Sequence, residues 1–280
     1  MFSFNFVLPS QPLRPYFDRY WIMRSDPYTE HLVEFPPVLQ HNIALMLNDT
    51  SSWKMGTPSQ PNQIDSSFVM AGQQTEVVRV PFPLVCDNIG VQIKPTGIYG
   101  LWGIPAHKMT EHFFDVRDVL NRADATRLVE QLINESNDEK LFALLDKFML
   151  GQLQKRRVND RHLKKIVFAQ QQLVFSNGNA CISKLAAQLC CSTRTLERYF
   201  DDYLGLPPKE FAKLVRFNKT IYLLDKEKKS LKEVIDALSF TDYSHLHKDF
   251  RSIMGISPTQ YLQQMTIIDE AFIRDDNFLL

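Results

Sequence analysis

The sequence predicts an α+β protein in which a β-rich N-terminal domain precedes an all-α domain with two helix-turn-helix units. Two observations predict this class. Short apolar runs broken by turn-forming residues fill the first 115 residues, whereas apolar residues recur at helical spacing from Val116 onward. Beyond residue 180, a set of apolar, glycine and proline positions also repeats after about 50 residues.

Length and composition are those of two ordinary domains. The chain has 280 residues, 44% of them hydrophobic, and no apolar run reaches the ~18 residues that a membrane span needs. The N-terminus lacks the basic and apolar regions of a secretory signal. The four cysteines lack CxxC spacing, so we expect reduced thiols in a cytoplasmic protein without membrane contact.

Residues 1–115 are expected to form strands in a cupin-like domain, at 41–48, 66–72, 76–82 and 88–95. Most of the fifteen prolines lie before residue 110, which favours strands and loops there. Several aromatic residues of this half either line an apolar ligand pocket or form the core. They are Phe17, Tyr20, Trp21, Phe68, Tyr99 and Trp102.

Residues 116–158 contain two stretches of helical periodicity, separated by the polar residues 136–138. This pattern predicts a helical hairpin that connects the two domains. The hairpin either provides a dimer contact or packs on the β-rich domain, and the pattern fits both. At the other end of the chain, residues 266–280 form an acidic tail with four acidic side chains and one basic one.

Residues 159–265 carry the repeat. At a shift of 50 residues, apolar residues and helix-ending residues fall on residues of the same kind. The matching pairs are Leu196 and Leu246, Phe200 and Phe250, Gly205 and Gly255, and Pro208 and Pro258. Ahead of these pairs the shift is 49, so the second copy has one extra residue in its turn. Two copies at a fixed spacing indicate a duplicated structural unit.

Each copy has the layout of a helix-turn-helix unit. A short amphipathic helix is followed by a tight turn and by a second helix that begins after a good N-cap, Ser192 or Asp242. Gly205 and Gly255 are expected to end these second helices in the left-handed conformation. Because only one side of each second helix is apolar, its polar side is free for the major groove of DNA.

The polar faces supply the candidate base-contacting residues. They are Arg194, Glu197 and Arg198 in the first unit, and Tyr243, Ser244, His247 and Lys248 in the second. Arginine suits guanine and glutamate can accept from cytosine. Residues 159–265 hold 16 basic and 11 acidic side chains, although the whole chain has zero net charge. On the joining helix, Lys213, Arg216 and Lys219 are candidate phosphate contacts.

These residues resemble the AraC/XylS family of bacterial transcription regulators. The stretches that begin ISKLAAQLCCSTRTLERYF and SLKEVIDALSFTDYSHLHKDF are similar to the two helix-turn-helix motifs of the family, and the resemblance covers about residues 160–265. Ile235 and Ser239 depart from the alanine and glycine that are usual in the family. Residues 72–75 and 90–105 more weakly resemble the sensor domains found ahead of such modules.

The resemblance implies a sequence-specific regulator that binds double-stranded DNA. It also implies a small-molecule effector or dimerisation role for the N-terminal domain, a homodimer, and contact with RNA polymerase if the protein activates transcription. By position in the motif, the family's base-contacting sites fall on the polar residues named above, so the resemblance and the polar faces agree.

The main alternative is a cupin-like metal enzyme that uses His31, His41, His107 or His112. However, the HxH pattern with a downstream glutamate is missing in this half of the chain. The one HxH, His245–His247, lies on a helix, where the two side chains point about 200° apart. We therefore expect no metal, no cofactor, no catalytic residue and no enzyme activity. A protein-interaction adaptor is the other alternative.

Overall fold

The computed structural model describes residues 2–25, 31–48, 52–61, 63–82, 86–158 and 161–264. The acidic tail at 266–280 lies outside the described residues. None of the described helices is both long and apolar enough to cross a membrane.

The N-terminal part is built mainly of strands, and the four predicted strands are all present. The strands are β1 (Phe2–Val7), β2 (Phe17–Ser25), β3 (His31–Phe35), β4 (His41–Met46), β5 (Trp53–Met55), β6 (Ile64–Ser66), β7 (Phe68–Ala71), β8 (Val78–Phe82), β9 (Asp87–Ile93) and β10 (Phe113–Asp115). One six-stranded antiparallel sheet has the order β1-β2-β9-β4-β7-β10. Strands β3 and β8 form a separate two-stranded sheet, and so do β5 and β6.

The helices follow the predicted order, with one addition inside the β-rich region. They are α1 (Gly97–Trp102), α2 (Val116–Val119), α3 (Arg122–Ile133), α4 (Asp138–Gln154), α5 (Leu163–Phe175), α6 (Ile182–Gln188), α7 (Thr193–Leu204), α8 (Pro208–Asp225), α9 (Leu231–Ala237), α10 (Tyr243–Met254) and α11 (Pro258–Gln264). Helix α1 follows the last of the four predicted strands, and the left-handed Gly103 ends it at φ 68°.

The α3–α4 hairpin packs on the β-rich domain, one of the two predicted alternatives. Leu141, Leu145 and Met149 of α4 are buried with residues of the six-stranded sheet in one apolar core. The hydroxyl of Tyr20 donates a hydrogen bond of 3.1 Å to Asp146 Oδ1 of α4. Burial and this acidic partner raise the pKa of Tyr20 well above its usual value.

The other face of the six-stranded sheet packs against the β3–β8 pair, where Trp21, Val69, Val80 and Phe113 are buried together. The helices of the C-terminal part form two further cores. The larger one joins α5, α6, α7 and α8 with the end of α10, and also includes Leu39 of the β-rich region. The smaller core lies beneath α9 and the start of α10.

Candidate nucleic-acid interface

The first helix-turn-helix unit consists of α6, a tight turn and α7. Ser192 is the N-cap of α7, and its hydroxyl accepts a hydrogen bond of 3.1 Å from the backbone N–H of Thr195. Leu196 and Phe200 are fully buried beneath the helix. Gly205 ends it in the left-handed conformation with φ 79°, as its place in the sequence predicts.

The polar face of α7 is exposed. Arg194, Glu197 and Arg198 all lie on the solvent side of the helix, in its first two turns. The Arg198 guanidinium lies 5.5 Å from the ring centroid of Tyr199. This geometry leaves three charged side chains near a capped helix N-terminus, where backbone N–H groups also favour an anion such as phosphate.

The second unit, α9 and α10, repeats this construction. Asp242 caps α10 and accepts a 2.8 Å hydrogen bond from the backbone N–H of His245. Leu246 and Phe250 are buried in place of the first unit's apolar pair, and Gly255 ends the helix with φ 76°. The predicted caps, buried pairs and glycine ends are therefore confirmed in both units.

The polar face of α10 is less charged than that of α7. Tyr243, Ser244 and Lys248 are exposed, whereas His247 is half-buried. The rings of Tyr243 and His247 lie 5.8 Å apart between centroids. Polar side chains thus line this face too, but only Lys248 carries a permanent charge there.

The turns of both units contain one residue in the left-handed region. Cys190 has φ 53° and Ser239 has φ 57°. These positions correspond in the repeat at the shift of 49, so both turns enter the left-handed region at the same point of the repeat. Ser239 stands where the resembling family usually has glycine, so the resemblance implies strain there, because a side chain at positive φ approaches the backbone closely. Ser239 has this positive φ, and Cys190 of the first unit shares it.

The three predicted phosphate partners on α8 differ in their surroundings. Lys213 and Lys219 are partly exposed, and the Lys219 ammonium lies 4.2 Å from the ring centroid of Tyr222. The Arg216 guanidinium instead donates a 3.1 Å hydrogen bond to Asp249 of α10 and lies 5.2 Å from the ring of Phe240. Arg216 therefore ties α8 to the second unit, a role that the sequence did not predict.

Contacts with the N-terminal region hold both units. In the first unit, the Thr110 hydroxyl donates a 2.8 Å hydrogen bond to the carbonyl of Gly205. The rings of Tyr99 and Tyr203 lie 4.0 Å apart between centroids. In the second unit, the Val77 N–H donates to the Ile253 carbonyl at 3.2 Å.

Helix α8, which joins the units, has its own contact with the β-rich region. The Asn218 side chain is almost fully buried, and its amide donates to the carbonyl of Pro37 at 3.1 Å. The same amide donates to Leu214 at 2.8 Å, one turn earlier in the helix. Asn218 lies among the polar residues Arg216, Lys219 and Thr220, so the sequence did not predict this contact.

A cavity of about 130 Å³ lies between the six-stranded sheet and the β3–β8 pair. Of the six aromatic residues considered for a pocket, only Trp21 lines this cavity. Phe17, Tyr20 and Phe68 are core residues, while Tyr99 contacts the first unit. Trp102 packs edge-on against Phe17 at 6.1 Å between ring centroids.

The histidines of the β-rich half were considered as metal ligands. His41 is fully buried, its Nε2 lies 3.0 Å from the Pro95 carbonyl, and burial lowers its pKa to about 4. His107 lies 3.5 Å from Asp202 of α7. Within the described ranges, no three His, Cys, Asp or Glu residues are grouped as a metal site would require.

Two domain families match the chain. A family described as a helix-turn-helix domain matches residues 185–264. A domain of unknown function, DUF6597, matches residues 5–115.

Curated relatives that are named as regulators match part of the chain. The chain is 34% identical over 82 residues to the uncharacterized HTH-type transcriptional regulator YidL of Escherichia coli (strain K12). It is 26% identical over 129 residues to the Msm operon regulatory protein of Streptococcus mutans. These matches cover 29% and 45% of this chain, and 28% and 45% of the two relatives. The chain thus spans less than half the length of these curated relatives.

A solved structure has a similar arrangement of the whole chain. The crystal structure of unsaturated-fatty-acid-bound ToxT from Vibrio cholerae strain SCE256 aligns with a TM-score of 0.50 and 14% identity. The alignment covers 88% of this chain and 96% of ToxT, so the two share a fold with a β-rich N-terminal domain and a helical C-terminal domain. The family match and the related regulators support the predicted resemblance, and residues 185–264 match a helix-turn-helix domain.

Proposed function

We propose that this chain is a sequence-specific DNA-binding transcription regulator of the AraC/XylS type. The observation that carries the proposal is the pair of recognition helices, α7 and α10, each capped, buried on one side and polar on the other. Helices of this kind enter the major groove. Helix α8, with 18 residues, is about 27 Å long, which suits two helices in successive grooves about 34 Å apart.

The first unit is proposed to read bases most strongly. Arg194 and Arg198 would donate to the O6 and N7 acceptors of guanine, and Glu197 would accept from cytosine N4. In the second unit, Tyr243, Ser244, His247 and Lys248 would make weaker base contacts or contacts with the backbone. Lys213 and Lys219 are proposed to contact phosphates.

The rest of the chain is proposed to regulate this activity from the cytoplasm, without catalysis. Residues 1–115 form the sensor domain, residues 116–158 the connector and residues 159–265 the DNA-binding domain. The fold shared with ToxT, which binds a fatty acid, supports a small-molecule effector in the sensor domain. The outer face of the α3–α4 hairpin is available for a homodimer, and an activator would also contact RNA polymerase.

Selection from random double-stranded DNA with the full-length chain tests the proposal. We expect enrichment of a single motif with two parts about one helical turn apart. Recovery of no motif would contradict sequence-specific binding and would favour the adaptor alternative.

A matched pair of variants then tests the base-reading residues on the selected DNA. Arg198→Ala should weaken binding by about 1–3 kcal/mol and relax the preference at one base position. Arg14→Ala removes an exposed arginine that lies outside both units and outside the α3–α4 hairpin, and it should bind as the wild type does. Equal affinities of the two variants would refute the assignment of Arg198.

A further inference from the structure

The cavity between the six-stranded sheet and the β3–β8 pair is apolar over most of its wall. Met23, Phe35, Val69, Val80 and Phe113 supply much of this surface. Its volume of about 130 Å³ is close to the ~150 Å³ of a protein cavity that accommodates benzene. The space therefore suits a compact apolar body of about one aromatic ring.

Four amide side chains interrupt the apolar wall, those of Gln40, Asn42, Gln74 and Gln92. The Oε1 atoms of Gln40 and Gln74 and the Oδ1 atom of Asn42 are buried and accept no hydrogen bond from any described residue. Gln40 and Gln74 are each only 6% exposed. The Gln74 amide nitrogen donates to the Gly72 carbonyl at 3.1 Å, which orients the oxygen of that side chain. Buried acceptors without donors are costly, so these oxygens indicate a ligand that donates hydrogen bonds.

The described residues of the cavity wall carry no charged side chain. No Asp, Glu, Lys, Arg or His occurs among the described residues that line it. A carboxylate or an ammonium group placed there would lose its hydration without gaining an opposite charge, which is strongly unfavourable. The wall therefore selects an uncharged molecule.

Two segments of the cavity wall also contact the DNA-binding domain. Pro37 lines the cavity, and its carbonyl accepts the hydrogen bond from Asn218 of α8. Val78 lines the cavity too, and the preceding Val77 donates its backbone N–H to Ile253 at the end of α10. A ligand that moves either segment would change how α8 and α10 are held.

We propose that this cavity binds an uncharged, mainly apolar molecule with hydroxyl or N–H donors, and that its occupancy alters DNA binding through residues 36–38 and 77–78. The proposal rests on the proposed function for its regulatory part. The binding part stands on the cavity alone. The two parts are measured separately, so failure of one is distinguishable from failure of the other.

Three probes of similar size test the ligand class on the full-length chain: 2-phenylethanol, its methyl ether and phenylacetate. Titration calorimetry should show saturable binding of the alcohol, with the ether and the carboxylate each weaker by about tenfold or more. Equal or tighter binding of phenylacetate would overturn the uncharged class. Equal binding of the ether would overturn the donor requirement, and no saturable binding of the alcohol at millimolar concentration would overturn the site.

Two variants link the probes to the cavity. Gln74→Met should reduce the preference for alcohol over ether, because one of the three acceptors is lost while the side-chain volume is nearly kept. Ala44→Leu should block all three probes by filling the space from β4. Each variant must retain wild-type affinity for the selected DNA without a probe, which shows that it is folded. Unchanged alcohol binding by Ala44→Leu would place the probe elsewhere and overturn the assignment.

The regulatory part is tested by DNA affinity with and without saturating 2-phenylethanol. We expect a change of at least about fivefold, the lower end of ordinary coupling between sites. Asn218→Leu, which removes the bond to Pro37, should reduce that change while leaving probe binding intact. An unchanged DNA affinity with bound alcohol would overturn the coupling but not the binding site.

Discussion

The two helix-turn-helix units are nearly equal in construction, but they are held to the N-terminal region in different ways. The first is fixed at the end of α7, where Gly205 and Tyr203 contact Thr110 and Tyr99. The second is held by a backbone hydrogen bond at Ile253. The described cavity wall includes the neighbour of that second contact but no residue of α1 or of 106–110.

Because the two units are similar in construction, we infer different roles for them from their different contacts with the N-terminal region. The residues that anchor the first unit do not line the cavity themselves, so we expect this unit to move less than the second when the cavity wall changes. The contact between Val77 and Ile253 lies next to the cavity, so we expect a change in the cavity wall to move the second unit and α8. We therefore expect the first unit to supply most of the base reading and the second unit to respond to the effector.

The largest expected difference concerns the glycines that end the recognition helices. A Cβ at Gly205 would lie 2.3 Å from Thr110 Oγ1 and 3.0 Å from the Ala106 carbonyl, whereas a Cβ at Gly255 would meet nothing within 4 Å among the described atoms. Both glycines have positive φ. Gly205→Ala should therefore lower the free energy of unfolding by about 3 kcal/mol, and Gly255→Ala by about 1 kcal/mol.

Urea unfolding of both variants measures these losses. The double variant Gly205→Ala with Thr110→Ala relieves part of the collision and should recover some stability. If the two single variants lost equal stability, the anchoring of the first unit by Thr110 would be refuted.

The next prediction compares base reading by the two units. Lys248→Ala should weaken binding to the selected DNA by less than Arg198→Ala does, because a lysine contacts guanine as a point charge while arginine can donate two parallel hydrogen bonds. We expect about 0.5–1 kcal/mol for Lys248 against 1–3 kcal/mol for Arg198. Fluorescence anisotropy at one salt concentration provides the comparison. A larger loss for Lys248→Ala would reverse the assignment of the stronger reader.

A third prediction separates two roles on α8. Lys213→Ala should reduce the slope of log K against log salt by about 1 without changing stability, as expected for a phosphate contact. Arg216→Ala should leave the slope unchanged but destabilise the protein by about 1–2 kcal/mol, because Asp249 loses its half-buried partner. A reduced slope for Arg216→Ala would restore the phosphate contact predicted from the sequence.

The helix-turn-helix units were predictable because their signals are local. A cap, a buried pair four residues apart and a glycine end lie within about one helix, and the second copy repeats them. The sheet order β1-β2-β9-β4-β7-β10 depends on pairing between distant segments, for which no local pattern exists. The cavity was missed for the same reason: which aromatic side chains face it depends on strand register, and of the six considered from the sequence only Trp21 does.

Arg216 illustrates a different limit. On a predicted helix with exposed lysines it is indistinguishable from a phosphate contact, because its partner Asp249 lies 33 residues away. The length of the joining helix could be predicted, but its rotation relative to α10 could not. Only that rotation decides whether the guanidinium faces solvent or a carboxylate.

The smallest expected effect is in the turns, where Cys190 and Ser239 have φ of 53° and 57°. At positive φ, a non-glycine side chain destabilises the folded state by about 1–2 kcal/mol. A glycine removes this strain, but it loses more backbone entropy on folding, so only part of that free energy is regained. Ser239→Gly and Cys190→Gly should therefore each stabilise the protein by about 0.5–1 kcal/mol. Ser244→Gly, at a helical position of α10, should instead destabilise it by a similar amount.

Thermal unfolding of the three variants decides the sign in each case. Because the turns correspond in the repeat, the two stabilising changes should be equal if the turns are equally constrained. A smaller gain at Cys190 would mean that the anchored first unit imposes this conformation through its packing, whereas the second unit adopts it mainly through its own sequence. That result would extend the contrast between the units from their contacts with the β-rich region to their local backbone.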